Sequence, residues 1–224
     1  MSEEKKFDLS PSTAILIAGV LIAGAILFVN YGPSQPVVAV EDPVAEAAIS
    51  ALGPSDHVLG SPDAPIVLVE YSDFQCPYCS VIHPTLKRIV EESNGQIAWA
   101  YRHLPLDSIH PQALPAAIAS ECMAEQLGND GFWAFADDIF GDQNDMNEAR
   151  YEVLAGTLGA DATQFKACVE SDKHLAKIEA QTIEAQSNGG NGTPFTVVMG
   201  KGKQIPISGA LPYAQIMAVI NSVR

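Results

Sequence analysis

The hydrophobic pattern changes character along this chain. From Thr13 to Val29 it is continuous, with no charged position. With Asn30 and Tyr31 added, a helix of about 18 residues results, long enough at ~1.5 Å per residue to cross a bilayer core. Residues 32–63 lose the pattern. Pro, Ala, Ser and Gly predominate there, so a linker is predicted, with "PVAEAAISAL" as a short helical candidate. "APIVLVEYSDF" (64–74) is apolar almost throughout, the pattern of a strand covered on both faces. "PYCSVIHPTLKRIVEES" (77–93) returns Val81, Ile82, Leu86, Ile89 and Val90 at helical spacing, with Pro84 expected to kink the helix. "QIAWAYRHLPL" (96–106) alternates as a strand does. A strand, a crossover helix and a strand make a parallel pair.

Residues 110–188 carry helical patterns only. His110 is expected to cap the first of them, which runs to Gly128 as its C-cap. "GFWAFADDIFG" and "MNEARYEVLAGTLG" follow, then "DATQFKACVESD" with Asp161 as N-cap, then "KHLAKIEAQTIEAQSNGG". The aromatic residues Phe132, Trp133, Phe135 and Phe140 read as helical core. Beyond them, "TVVM" and "KQIPIS" flank Gly-Lys-Gly, a hairpin signal. "PYAQIMAVINSV" is a last amphipathic helix with Pro212 in its first turn. The predicted class is α/β: a sheet domain over 64–224, with its core in 64–109 and 189–224 and a helical insertion at 110–188.

Charge adds orientation and excludes one partner. The formal net charge of the 224 residues is -15, and such a surface repels nucleic acid. Lys5 and Lys6 precede the apolar block, and the next basic residue is Lys87. That asymmetry places residues 1–12 in the cytoplasm, 13–31 as a signal-anchor helix, and the remainder outside the cell membrane. A cleaved signal peptide is the competing reading, with "VVA" at 37–39 as its processing site, far beyond the apolar block.

The chemistry lies in "EYSDFQCPYCSVIHP" (70–84). Pro77 suits the first position of a helix, which makes Cys76 the N-cap and puts Cys79 one turn on, within disulfide reach. The free N–H groups and the positive end of the helix dipole stabilise a thiolate at Cys76. Cys76 is then the exposed, reactive thiol and Cys79 the buried, resolving one. Two other readings exist: half of a zinc site, for which no second close cysteine pair is present, and two inert core thiols. A strand running straight into C-x-x-C at a helix start favours redox chemistry. Glu70 is a carboxylate in an apolar strand, either a partnered buried acid or a residue at a wet strand edge. His83 and His103 read as ordinary helix and strand-end residues.

Taken together, "DFQCPYC", the inserted helices, "GTPF" and "SGALPY" resemble the DsbA-like thiol–disulfide oxidoreductases, which have a thioredoxin fold with a helical insertion. The resemblance runs from near Ala64 to the C-terminus. It implies that Pro194 is cis beside the cysteine pair, exposing the Thr193 backbone to an extended substrate. It implies that Glu70 moves protons for Cys79, and that Pro77, Tyr78 and Thr193 tune the pair. It also implies a structural disulfide between Cys122 and Cys168, as some members carry; two separate buried thiols is the other reading.

The activity implied is disulfide exchange with reduced or unfolded exported proteins, with no cofactor and no metal. A quinone-linked membrane reoxidase is the implied partner. A linker too short for a dimerisation domain favours a monomer. A low-pKa Cys76 and the lack of a dimerisation domain favour an oxidase, which introduces disulfides; threonine before the cis-proline also occurs in isomerase relatives, so a reductase or isomerase is the alternative. A tethered chaperone or adaptor is the reading without catalysis.

Overall fold

A computed structural model describes residues 48–224 of the chain. The predicted cytoplasmic segment, the membrane helix at 13–31 and the first half of the linker lie outside the described residues. Among the described residues no helix is long and apolar enough to cross a membrane.

The strands are β1 (His57–Leu59), β2 (Ile66–Ser72), β3 (Ile97–His103), β4 (Phe195–Gly200) and β5 (Lys203–Ser208). They form one sheet in the order β1-β3-β2-β4-β5. Only β2 and β3 are parallel, joined by the crossover helix α1 (Pro77–Glu92). Their apolar runs are explained by position, since both are central strands covered on two faces. The β4–β5 hairpin turns at Lys201 and Gly202, whose φ values of 45° and 76° are those a two-residue hairpin loop requires. The chain ends in α6 (Tyr213–Ser222), capped by Pro212.

Between β3 and β4 the chain is helical: α2 (Ala113–Gly141), α3 (Glu148–Leu158), α4 (Ala162–Val169) and α5 (Leu175–Ser187). Gly128 breaks α2 with φ 68° and ψ -161°, a conformation that needs glycine, so the two helices read from the pattern abut at that residue. Asn147 and Asp161 cap α3 and α4 by accepting hydrogen bonds from Arg150 N and Gln164 N. His110 is not a cap. Gln112 takes that position, and the His110 ring is bonded to Asp73 at 2.8 Å. Helix α1 continues through Pro84.

Alternation along the strands sorts the core. One face sends Leu68, Trp99, Tyr101, Val198 and Ile207 against α1, α2 and α6. The other packs Val69, Tyr71, Ala100 and Val197 against Ala185 of α5 and Ile49 of the leading segment. That second contact corrects the linker expectation. Residues 48–63 are not a free tether: β1 adds an edge strand to β3, and the stretch before it is strapped across the sheet. Ile49 N and O bond the Gln204 amide at 2.8 and 3.1 Å, and Ser50 N donates to Glu184 at 2.8 Å. Arg102, buried in β3, donates to both Asp56 oxygens at 2.9 and 3.0 Å and to the Ser50 and Ala51 carbonyls. Nor do residues 48–52 form the helix their composition suggested; each backbone N–H from 48 to 50 goes to a side-chain acceptor instead.

Candidate active site

Strand β2 delivers the chain to the start of α1, and a polar framework fixes the loop between them. Asp73, fully buried, accepts from Gln75 N, Leu106 N and the His110 ring at 2.7, 2.9 and 2.8 Å. Gln75 in turn accepts from Gln112 N. From α2's far end Gln143 donates to the carbonyls of Phe74 and Cys76 at 2.8 and 3.0 Å. From sequence, Asp73, Gln75, Gln112 and Gln143 carry no expected role, and His110 a different one. Asp73 and Gln75 lie within the motif, but Gln143 is 67 residues from Cys76 and carries no local signal.

Cys76 occupies the N-cap of α1, with Pro77 next in the helix. Cys79 N and Ser80 N bond back to the Cys76 carbonyl. Both thiols are free, and Cys79 is fully buried. Cys76 departs from the expectation of exposure: only 4% of it is accessible, because Thr193 and the Gln143 bracket close over it. The Cys76 thiol is lowered to about 5, first by a hydrogen bond from Cys79 against the opposing effect of burial, then by Thr193 and the backbone N–H groups of Cys79 and Tyr78. Cys79 moves the other way, pushed well up by burial and by the sulfur of Cys76. One thiol of the pair is thus held anionic and the other neutral.

The Thr193–Pro194 peptide bond is cis, and the Thr193 carbonyl accepts from Cys76 Sγ at 3.4 Å. Pro194, 118 positions along the chain by number, is thereby brought to the cysteine pair. Tyr78 is 65% exposed, and it acts on Cys76 through its backbone N–H. Glu70 is buried on the face toward α1, not at a wet edge, and burial raises its carboxyl to about 8.

The His83 and His103 rings bond carboxylates rather than the sulfurs. His83 bonds Asp137 at 2.8 Å, and His103 shares Glu121 with His57 and Lys177. Cys122 of α2 and Cys168 of α4 are joined by a disulfide, their Cα atoms 5.8 Å apart. Among the described residues, the one grouping of metal-ligand type is this pair with His174, and both of its sulfurs are in the disulfide.

A sheet carrying a dithiol at the N-terminus of its crossover helix, opposite a cis-proline, defines the thioredoxin class. Residues 53–221 match the family described as Thioredoxin, and the chain belongs to that family. Its form with a helical insertion is that of the DsbA-like thiol–disulfide oxidoreductases. The structure of DsbA2 from Pseudomonas aeruginosa superposes with a TM-score of 0.66 at 24% identity, covering 77% of this chain and 97% of that one. A thioredoxin-like oxidoreductase from Silicibacter pomeroyi DSS-3 gives 0.65 at 25% identity, over 76% and 92%. Among curated proteins, Na(+)/H(+) antiporter NhaA 1 of Mycolicibacterium gilvum is 34% identical over 163 residues, covering 71% of this chain and 26% of the antiporter. The chain spans about a quarter of the length of the curated relatives it matches, so ion transport is a property of those proteins.

Proposed function

We propose that this protein is a membrane-tethered, extracytoplasmic disulfide oxidase acting on reduced exported proteins through Cys76 and Cys79. The observation that carries the reading is the free Cys76–Cys79 pair at the start of α1 beside the cis Thr193–Pro194 bond, with Cys76 lowered to about 5 and Cys79 raised in support. A substrate thiolate attacks Cys76 of the oxidised pair and Cys79 leaves. A second substrate thiolate then attacks the substrate sulfur of the mixed disulfide, and Cys76 departs as a thiolate. The lower the Cys76 pKa, the better it leaves and the more stable the dithiol product, which favours oxidation of substrate. Glu70 exchanges the proton of Cys79, while Thr193 and Pro194 present a backbone edge to the substrate chain. The apolar segment at 13–31 tethers a monomer, and a quinone-linked membrane partner restores the disulfide. The reaction calls for no cofactor and no metal.

A chaperone or adaptor reading is favoured by one feature, the exposed apolar side chains of Tyr78 and Val81 on the first turns of α1. Cys76→Ser separates the two. Refolding of a reduced disulfide-containing protein is expected to be lost in the variant; unchanged refolding would leave only the adaptor. Direction is read by equilibrating the chain with glutathione buffers and measuring the state of the Cys76–Cys79 pair. An oxidase lies well above thioredoxin's ~-270 mV, toward ~-120 mV, whereas a value at the thioredoxin end assigns a reductase.

A further inference from the structure

Polar side chains cross the sheet directly beneath the cysteine pair. Glu70 of β2 stands opposite Tyr101 of β3 and Thr196 of β4, so the three share a row on one face. Two residues on, Ser72 stands in the next row opposite His103, at the end of β2 that leads into Cys76. All of these residues are buried. Both Glu70 oxygens, Ser72 Oγ, Tyr101 Oη, Thr196 Oγ1 and His103 Nδ1 are without a well-formed hydrogen bond among the described residues. Buried polar atoms are rarely left so, and a cluster of them is costly as framework alone.

Ser72 is the common neighbour in this cluster. Its hydroxyl lies near enough to influence Glu70, Cys79 and Tyr101 together, while Glu70 reaches Cys79 through its charge. A hydroxyl both donates and accepts, so it can join two acids that do not touch. On the redox reading above, we propose that Ser72 relays the proton between the Glu70 carboxyl and the Cys79 sulfur.

The relay balances in each direction. When a substrate thiolate attacks Cys76 Sγ, the Cys76–Cys79 bond breaks and Cys79 takes the electron pair. Ser72 gives its proton to Cys79 Sγ and receives one from the Glu70 carboxyl, which becomes a carboxylate. In the reverse step, Cys79 passes its proton to Ser72 and Ser72 passes its own to the Glu70 carboxylate. The Cys79 thiolate then attacks Cys76 Sγ in the mixed disulfide and expels the bound thiol as a thiolate. The titratable groups around Ser72 are Glu70 on β2, Tyr101 and His103 on β3, and Cys79 on α1, with Cys76 at the helix N-cap acting on Glu70; β4 contributes the Thr196 hydroxyl.

The test uses the full chain carrying glutathione on Cys76, and measures glutathione release as Cys79 attacks, between about pH 6 and pH 8. Ser72→Ala is expected to slow release about tenfold, a fraction of what acid–base groups contribute, and Ser72→Thr to restore it. In a Glu70→Gln background Ser72→Ala is expected to cost nothing further, because the two act as one unit. A Ser72→Ala rate matching wild type, or equal slowing with and without the Glu70 carboxyl, overturns the relay. Should alanine loosen the fold, Ser72→Thr and Ser72→Val compare a hydroxyl with a methyl at equal size, and equal rates overturn it as well. Wild-type chain that releases no glutathione defeats the redox reading itself; wild-type release with matching Ser72 variants defeats only the relay.

Discussion

Glu70 shows how one buried acid couples chemistry to stability. An unfolded chain sheds this proton near pH 4.5, while the folded chain keeps it to about 8, because burial disfavours the carboxylate. Between those values the folded state binds more protons, so stability falls as pH rises from about 4.5 to about 8 and is level above. With the cysteine pair locked as its disulfide, Glu70→Gln is expected to flatten that decline. Its gain over wild type should grow by on the order of 3 kcal/mol between pH 5 and pH 8 in chemical denaturation; parallel profiles would show that Glu70 ionises normally. In the dithiol form Cys76 contributes with the opposite sign. Its thiolate stabilises the fold fully above the ordinary thiol range, and that contribution is lost as pH falls through about 5. Glu70, Cys76 and Cys79 were legible in sequence because each breaks a local pattern. Ser72 and Asp73 were not, since small polar residues at the end of a strand are common and nothing local separates a framework acid from a turn former.

Elements with a sustained period were readable close to their ends. α1, β2, β3, the β4–β5 hairpin and α6 all follow from spacing, and Asp161 was legible as a cap because a short acceptor precedes an apolar-periodic run. Its carboxylate accepts from Gln164 N at 2.8 Å. Asp161→Ala is expected to lower global stability by about 1 kcal/mol, read by thermal or chemical denaturation. No loss would mean that α4 is held by its disulfide and by buried Phe165 rather than by its cap. His110 misled because a polar residue before a helical pattern resembles a cap whatever its side chain binds. Here the ring is drawn 37 residues back to Asp73, a tertiary contact with no trace in the local sequence.

At the scale of the whole molecule, the missing piece was the leading segment. β1 is three residues long, too short for a period, and it sits in a stretch whose Pro, Gly and Ser content reads as linker. The clue was on the other side of the contact: an arginine in the middle of an apolar strand needs partners, and Arg102 finds them in Asp56, Glu184 and two leading-segment carbonyls. This has a practical consequence for anyone preparing the protein. Recombinant material trimmed to begin at Ala64, where the periodic sequence starts, would lose Asp56 and the Ser50 and Ala51 carbonyls, leaving the buried Arg102 guanidinium with Glu184 and Tyr71 alone. Such a trimmed version is expected to be at least about 3 kcal/mol less stable than one beginning at Ala48. Equal denaturation midpoints for the two lengths would show the strap to be ornamental; otherwise the smallest autonomous folding unit starts upstream of Ala64.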